Sequence, residues 1–580
     1  MSLEWWKRNV IYHIYLPSFK DSNSDGIGDF QGLTSKLDYF KELRVSNLLL
    51  SPFYPSPMKD NGYDITCFTD VDPMFGTMGD FDAFMEEARE RNLNVIIDFV
   101  ANHTSDQHPW FMKSVNREEP FSDFYIWVDA KPESSSEVPI PPNNWLSVFG
   151  GSAWTWNEKR NQFYFHQFLP EQPDLNYHNP LVRSEMKEIL AFWLEKGVDG
   201  FRIDAASHLF EDERLLDEPL AKQTKAKQNE YKYLNHIYTK GQSETFQLLK
   251  EWRVILDDYS RRTEKPKIML IEAMEEVDDV IHYYGPPHEK ISEIPMNFQF
   301  YKVTSSSTGI DLQEIIDEWL KKMPKGKFPN YVMSSHDFPR VATRVGSTLA
   351  SSLQMIMMLL PGIPICYYGD ELGMENGVIS IEEMRDSFAL RTKPSKSRDP
   401  MRTPMQWDCS KNAGFSDCDK PWLPVNINYK NQNIEVERAD PFSCLENFKK
   451  LVKLRREPSL LLGTFEYALV DPKIFSFSRS ILGAKSFLVI VNMSANEVLV
   501  NLTARIPSLP VAAYLVLTNP KYSNRLFRQT EDLSDQTRSS TSAEYMLPRN
   551  TTETRIMVPL NNVYLQPKQG LVLSYDMSKS

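Results

Sequence analysis

Residues 180–204 read PLVRSEMKEILAFWLEKGVDGFRID. Val182, Met186, Ile189, Leu190 and Trp193 recur at helical spacing, which predicts a helix over Pro180–Lys196 with one apolar face. Gly200–Asp204 then forms a short apolar run that ends on a carboxylate. A helix feeding a short apolar strand is one repeat of a parallel βα array. Working outward, the same strand signal recurs at Ile11–Tyr15, Leu48–Ser51, Val95–Asp98, Ile268–Glu272, Ile294–Asn297, Tyr331–Asp337 and Ile365–Glu371, eight runs in all. Asp311–Met323 and Ser347–Leu360 repeat the helical spacing between them. Eight such repeats predict a (β/α)8 TIM barrel whose helices wrap the sheet.

The array is interrupted once. About 100 residues separate the third and fourth strands, far more than a crossover helix needs, so a small subdomain is expected around Thr104–Leu175. After a helical pattern over Pro441–Arg456 the texture changes to alternating runs at Phe475–Ser478, Ser486–Val491 and Val498–Leu502, which predict an all-β domain. The expected organisation is a barrel over 1–103 and 176–475, an inserted subdomain after the third strand over 104–175, and a C-terminal antiparallel β domain over 476–580. Lys521–Arg555 is rich in Ser, Thr, Arg and Asp and reads as a long surface loop or partly disordered excursion.

The 580 residues suffice for two or three domains, and their 41% hydrophobic and 25% charged content is ordinary for a globular chain. No apolar run reaches the roughly 18 residues of a membrane span. A formal charge of −13 disfavours nucleic acid as a partner, because phosphate binding depends on clustered Lys and Arg. The start, MSLEWWKRNV, lacks a signal peptide's apolar segment, and the end lacks the apolar tail of a lipid-anchor signal. The chain is then either cytosolic or a processed form. The sequons at Asn492, Asn501 and Asn550 lean towards an extracellular or cell-surface protein, with the cytoplasm as the alternative. Cys409 and Cys418 lie close enough in sequence to bridge a short loop, while Cys67 and Cys366 sit in apolar contexts that suggest buried thiols.

In a parallel barrel the active site forms at the carboxyl ends of the strands. Asp204 ends Gly-Phe-Arg-Ile-Asp, Glu272 ends Ile-Met-Leu-Ile-Glu, and Asp337 follows Tyr-Val-Met-Ser-Ser-His. Barrel rims also carry acids that are merely solvated or salt-bridged; the three together with His103 and Arg202 point to chemistry. Cleaving a glycosidic bond with retention needs a carboxylate nucleophile and a protonated acid about 5 Å away, which adjacent strand ends can supply. Arg202, two residues before Asp204 on the same strand face, is expected to hold the Asp204 pKa down. Desolvation and the charge of Asp204 would keep Glu272 protonated. Separately, Asp21-Ser-Asn23-Ser-Asp25-Gly-Ile27-Gly-Asp29 spaces oxygen ligands around a Gly turn, as calcium loops do, although a plain polar turn would read the same way.

Asp98-Phe-Val-Ala-Asn102-His103, Gly200-Phe-Arg-Ile-Asp204, Ile271-Glu272-Ala and His336-Asp337, in that order, resemble the four signature segments of the α-amylase superfamily. Gln172-Pro-Asp-Leu-Asn176 and Arg402-Thr-Pro-Met-Gln-Trp-Asp narrow the resemblance to the branch holding insect midgut maltases and bacterial oligo-1,6-glucosidases. It runs from Trp5 to about Pro472 and more faintly beyond. The resemblance implies a retaining, exo-acting α-glucosidase for small oligosaccharides, with Asp204 as nucleophile, Glu272 as acid/base and Asp337 as transition-state stabiliser. It further implies a glucose pocket of Asp60, Tyr63, His103, Arg202, His336 and Arg402, closed by Phe149, Phe168 and Gln172 from the subdomain. Ala205, after the nucleophile, tends to accompany α-1,4 preference in that family. The family also holds a structural Ca²⁺ through Asp21, Asn23, Asp25, the Ile27 carbonyl and Asp29, away from the catalytic acids.

Four positions depart from the pattern. Ser335 stands where Asn commonly precedes His-Asp, Pro17 where Arg is usual, Arg44 where Gly is usual, and His208 lies four residues past the nucleophile. None removes a catalytic carboxylate; Ser335 points to altered specificity or rate. The resemblance leaves open a transglucosidase or sucrose-specific hydrolase on the same site. It also leaves open a binding protein, since the branch includes amino-acid-transporter heavy chains and maltases used as toxin receptors. Membrane anchoring of the native form and a homodimer stay equally open.

Overall fold

The computed structural model describes residues 3–132, 139–506, 509–523 and 556–576. Each of the eight apolar runs forms a strand. They are β1 (Ile11–Ile14), β2 (Asn47–Leu50), β3 (Asn94–Phe99), then, after three strands of an insertion, β7 (Gly200–Ile203), β8 (Ile268–Ile271), β9 (Ile294–Pro295), β10 (Asn330–Val332) and β11 (Ile363–Tyr367). They pair in parallel in the order β10-β11-β1-β2-β3-β7-β8-β9, a nearly closed barrel. At the seam side-chain amides supplement the backbone: Val332 N–H donates to the Asn297 carbonyl at 3.1 Å, and Asn297 N–H to Asn330 Oδ1 at 2.8 Å.

Period two explains why these strands read as continuous apolar runs. Tyr12, Leu48, Leu50, Val95, Ile97, Phe201, Ile203, Met269 and Ile271 belong to the large core shared with the helices. The alternate residues Ile11, Leu49, Ile96, Ile268, Leu270, Ile294, Val332, Ile363 and Ile365 form a second cluster that fills the barrel. Both faces are buried, as in parallel sheets generally. Continuing the inward series toward the carboxyl ends takes Ile11 to His13, Ile96 to Asp98, Gly200 to Arg202 and Asp204, and Leu270 to Glu272. The barrel is therefore apolar below and ionic on top.

The expected helices form as Pro180–Glu195, Gly309–Lys322 and Ser347–Leu359. Asn179 caps the first through the Leu181 N–H, with Pro180 at the first helical position, and Thr308 and Asp311 make a reciprocal capping box on the second. Between β3 and β7 a three-stranded antiparallel sheet of β4 (Trp127–Val128), β5 (Trp154–Asn157) and β6 (Gln162–Phe165) packs Trp145, Trp154, Phe163 and Phe165 into its own core. Isolated bridges His103↔Asp174 and Tyr125↔Leu175 tie this insertion to the barrel rim.

The C-terminal sheet holds β12 (Thr464–Val470), β13 (Ile474–Ser480), β14 (Ser486–Asn492), β16 (Ala512–Thr518), β17 (Met557–Pro559) and β19 (Gly570–Tyr575), with β15 (Val498–Val500) and β18 (Val563–Leu565) pairing separately. It begins at Thr464, before the expected boundary at 476, because β12 pairs antiparallel with β13. The surface excursion expected over Lys521–Arg555 and the sequon at Asn550 lie almost wholly outside the described residues.

Three local expectations change. All five cysteines are free, so Cys409 and Cys418 form no bridge, and Cys67 is half-buried rather than in the core, whereas Cys366 is buried. Asn492 is fully buried, its amide donating to the Asn496 and Gln566 carbonyls, so that sequon serves a turn and not an exposed loop. Asn501 is exposed.

Candidate active site

The strand register decides who meets whom. Asp98 on β3 pairs with Arg202 on β7, and Arg202 with Leu270 on β8, so the Arg202 guanidinium sits between acids from both neighbours. Its Nη1 donates to Asp98 Oδ2 at 2.5 Å and to Asp204 Oδ1 at 2.9 Å, while Nη2 lies 3.8 Å from Glu272 Oε2. Ala205 adopts a left-handed φ of 46° and aims its N–H at Glu272 Oε2, 2.8 Å away. Such a conformation costs a non-glycine residue of order 1–3 kcal/mol and persists where the surroundings impose it. Here it ties the residue after Asp204 to the acid on the next strand.

Asp337 leaves β10 on a loop held by Ser335, whose Oγ accepts the Asp337 N–H at 3.2 Å. Ser335 thus supplies a turn acceptor where an amide was expected. Arg402 and Arg398 donate to Asp337 Oδ1 at 2.9 and 3.2 Å, and His336 Nε2 lies 2.9 Å from Oδ2. The His336 ring stacks on Tyr15 and on Tyr63, and its Nε2 lies 2.8 Å from the Tyr63 hydroxyl, which in turn donates to Asp98. The three carboxylates are thereby joined through Arg202, Asp98, Tyr63 and His336.

The electrostatics differ from the simple expectation. Burial is the largest influence on Asp204 and pushes its carboxyl well up; Arg202 opposes, but Asp98, Glu272 and Asp337 add to the rise. Burial also raises Glu272, against Arg202 and the Ala205 N–H. Arg202 alone therefore does not hold Asp204 down: its one guanidinium is shared among Asp98, Asp204 and Glu272. Of the two acids, Asp204 makes the closer guanidinium contact, 2.9 Å against 3.8 Å for Glu272. Although burial pushes Asp337 up, His336, Arg398 and Arg402 hold it well below the usual carboxylate range. Burial lowers His103 to about 4, so that ring is neutral at pH 7, and lowers His336 in the same direction against the opposing charge of Asp337.

These groups line a cavity of about 310 Å³ whose wall includes Asp60, Tyr63, His103, Phe149, Phe168, Asp204, Glu272 and Asp337. Gln172, Arg202, His336 and Arg402 are buried behind that wall and act on it through hydrogen bonds. Gln172 Nε2 donates to Asp60 Oδ2 at 3.1 Å and lies 3.0 Å from His103 Nε2. Phe168 packs edge-on against His103 and Phe149, giving an apolar lid beside the ionic floor.

Sequence reading missed Arg398, Phe388, Met274 and the structural part of Asp98. Arg398 closes the pocket, donating to Asp60 Oδ1 and Asp386 Oδ1, each at 2.7 Å, and to Asp337, with its guanidinium over the Phe149 ring at 5.4 Å. Its sequence context, Ser397-Arg398-Asp399, is an ordinary polar loop, and only the approach of that loop to the barrel rim reveals the role. His208 also lines the pocket, packed edge-on against Phe168 and kept neutral by burial.

A family model described as the α-amylase catalytic domain matches residues 13–463, most of the chain. The chain belongs to the α-amylase family. Among its relatives, Maltase 1 of Drosophila virilis is 44% identical over 501 residues, covering 85% of this chain and 79% of the relative. The human amino acid transporter heavy chain SLC3A1 is 39% identical over 512 residues, covering 88% and 73%. Among solved structures, the α-glucosyl transfer enzyme XgtA superimposes with a TM-score of 0.82 at 30% identity, covering 99% of this chain and all of that one. Because one α-amylase family relative is named as a transporter heavy chain, membership alone does not specify chemistry.

In the proposed calcium loop of this α-amylase family member, Asp21 Oδ1 accepts the N–H groups of Asn23 and Ser24, and Oδ2 that of Gly26. Asp29 accepts from Ser22 and Gly32, and Asp25 from Ile27. The side chains are thus turned onto their own loop, and among the described residues no three His, Cys, Asp or Glu side chains converge as a metal-holding group. An ion here would share oxygens already accepting backbone hydrogen bonds.

Proposed function

We propose that this protein is a retaining, exo-acting α-glucosidase that removes terminal α-linked glucose from maltose, sucrose or short oligosaccharides. The observation that carries the reading is one buried guanidinium, Arg202, contacting two carboxylates from adjacent strands at the floor of a closed pocket. In the first step Asp204 attacks the anomeric carbon as the glycosidic C–O bond breaks, and the Glu272 proton passes to the departing oxygen. In the second, water attacks the glucosyl–Asp204 ester, Glu272 takes its proton back, and Asp204 leaves as carboxylate. The Asp60–Arg398 pair closes the far end of the pocket, which favours a chain terminus over an internal sugar. Asp337, kept anionic by three cationic or donor partners, holds negative charge beside the developing oxocarbenium ion.

Relatives named for maltose hydrolysis and for glucosyl transfer bracket the outcome of the second step. Incubating wild type with maltose, sucrose and isomaltose, each alone at high concentration, separates the two: glucose without longer products marks a hydrolase, longer products a transglucosidase. Asp204→Asn removes the nucleophile with little change in shape, and turnover should fall at least ~10³-fold with an unchanged thermal midpoint. Residual turnover within tenfold of wild type would overturn the assignment.

We also propose that a structural Ca²⁺ binds the loop Asp21–Asp29, supported by oxygen-bearing side chains at Asp21, Asn23, Asp25 and Asp29 and the Ile27 carbonyl on one tight turn. It would tie the β1 exit to the 415–422 loop and take no part in catalysis.

A further inference from the structure

The catalytic pocket opens into a second and larger cavity of about 800 Å³, the two sharing Val148, Phe149, Phe168 and Phe388. Two loops that the proposed mechanism does not use face each other across it. One brings Lys227 and Lys232, the other Arg391, Lys393 and Lys396, and Glu230 is the single acid among the lining residues. All five cations are exposed. Arg391 pairs with Glu171, but among the described residues none of the four lysines has a carboxylate within ion-pair distance. In a chain of net charge −13, five cations gathered around one opening produce a local field of the opposite sign to the molecule. Low-dielectric walls focus such a field; here Lys396 lies 5.5 Å from the Phe388 ring, on the shared wall.

We propose that this groove binds an oxyanion, a phosphate or sulfate group, at the leaving-group side of the active site. The position rests on the α-glucosidase reading, because the groove adjoins the glucose pocket across the phenylalanine wall and can receive what is attached to the glucose. A neutral sugar has no charge to set against the four lysines, whereas an oxyanion on a sugar that reaches into the groove does. The same chemistry can be supplied by an anionic glucoside or by a free anion held beside a neutral one.

The test compares maltose with maltose phosphorylated on its reducing sugar, at constant ionic strength, in wild type and in Lys393→Glu/Lys396→Glu, neither of which touches the glucose pocket. The expected result is a preference in kcat/KM of about tenfold for the phosphorylated substrate at low salt. It should shrink as the Debye length falls toward ~3 Å near 1 M salt and vanish in the double variant. No preference, combined with a thermal shift by inorganic phosphate that the double variant abolishes, assigns the site to free anions. The absence of both a preference and a variant-sensitive phosphate shift overturns the proposal. The thermal-shift arm needs no turnover, so a chain that hydrolyses neither substrate refutes the glucosidase reading while the anion site is still decided.

Discussion

At the residue scale the site depends on sharing charge among too few cations. Arg202 touches Asp98 and Asp204 and approaches Glu272, and burial pushes both members of the Asp204–Glu272 pair up. On the proposed mechanism the active form has Asp204 ionised and Glu272 protonated. Activity is lost on the acid side as Asp204 becomes protonated and on the alkaline side as Glu272 ionises, so kcat/KM should be bell-shaped. Because the Glu272 pKa is raised, its limb lies above the usual carboxylate range. Glu272→Gln should abolish that alkaline limb and reduce turnover of maltose by about 10²–10⁴-fold, with a smaller loss for an aryl glucoside whose leaving group needs no proton. A pH–rate profile of the variant that kept the alkaline limb would assign the proton elsewhere. Asp204, Glu272 and Asp337 were legible in the sequence because each ends a strand signal. Arg398 was not, because nothing local distinguishes an arginine that bridges three acids from a solvated one.

At the element scale, strand ends carry the candidate catalytic acids Asp204 and Glu272, and loops adjust them. The positive-φ residue Ala205 directs its N–H at Glu272, and Arg44, in the left-handed position after the helix Leu37–Leu43, occupies a site where glycine is favoured. The loop Asp21–Asp29 is the clearest testable element. Its Asp21 reaches Ser416 Oγ, and its Gly26 carbonyl accepts the Trp422 N–H, so its order is linked to a distant segment. If it holds calcium, EDTA should lower the thermal midpoint and added Ca²⁺ restore it, by roughly 1–4 kcal/mol at saturating ion. Asp21→Asn should remove that response while leaving KM for maltose unchanged. An EDTA-insensitive wild type, together with no calcium in elemental analysis of the purified protein, would leave the loop a polar turn. Strand order and the expected helices were legible from period and spacing; the start of the C-terminal sheet was not, because β12 is a half-exposed edge strand that joins the sheet through its pairing with β13.

At the scale of the whole molecule, the C-terminal sheet is fastened to the barrel by buried arginine. Arg479 on β13 donates to the carbonyls of Leu359, Leu460 and Gly463 at 3.0, 2.9 and 3.2 Å, satisfying groups at the ends of two helices that no backbone donor reaches. Burial lowers its pKa to about 10, so it remains charged at neutral pH. Arg479→Ala would orphan these carbonyls and should cost about 2–4 kcal/mol, read as a shift of the urea midpoint; a change under ~0.5 kcal/mol would show the interface to be held by packing alone. The sequence by itself determined the eight βα repeats, the presence of an insertion after the third strand, the C-terminal β region and the three acids, because periodicity, spacing and strand-end position are local properties of the chain. Only the tertiary structure decided that Arg202 is shared, that Arg398 closes the pocket and that a basic groove guards its mouth. Each of those depends on residues far apart in sequence meeting at one rim, and a distance across a barrel leaves no trace in the order of its residues.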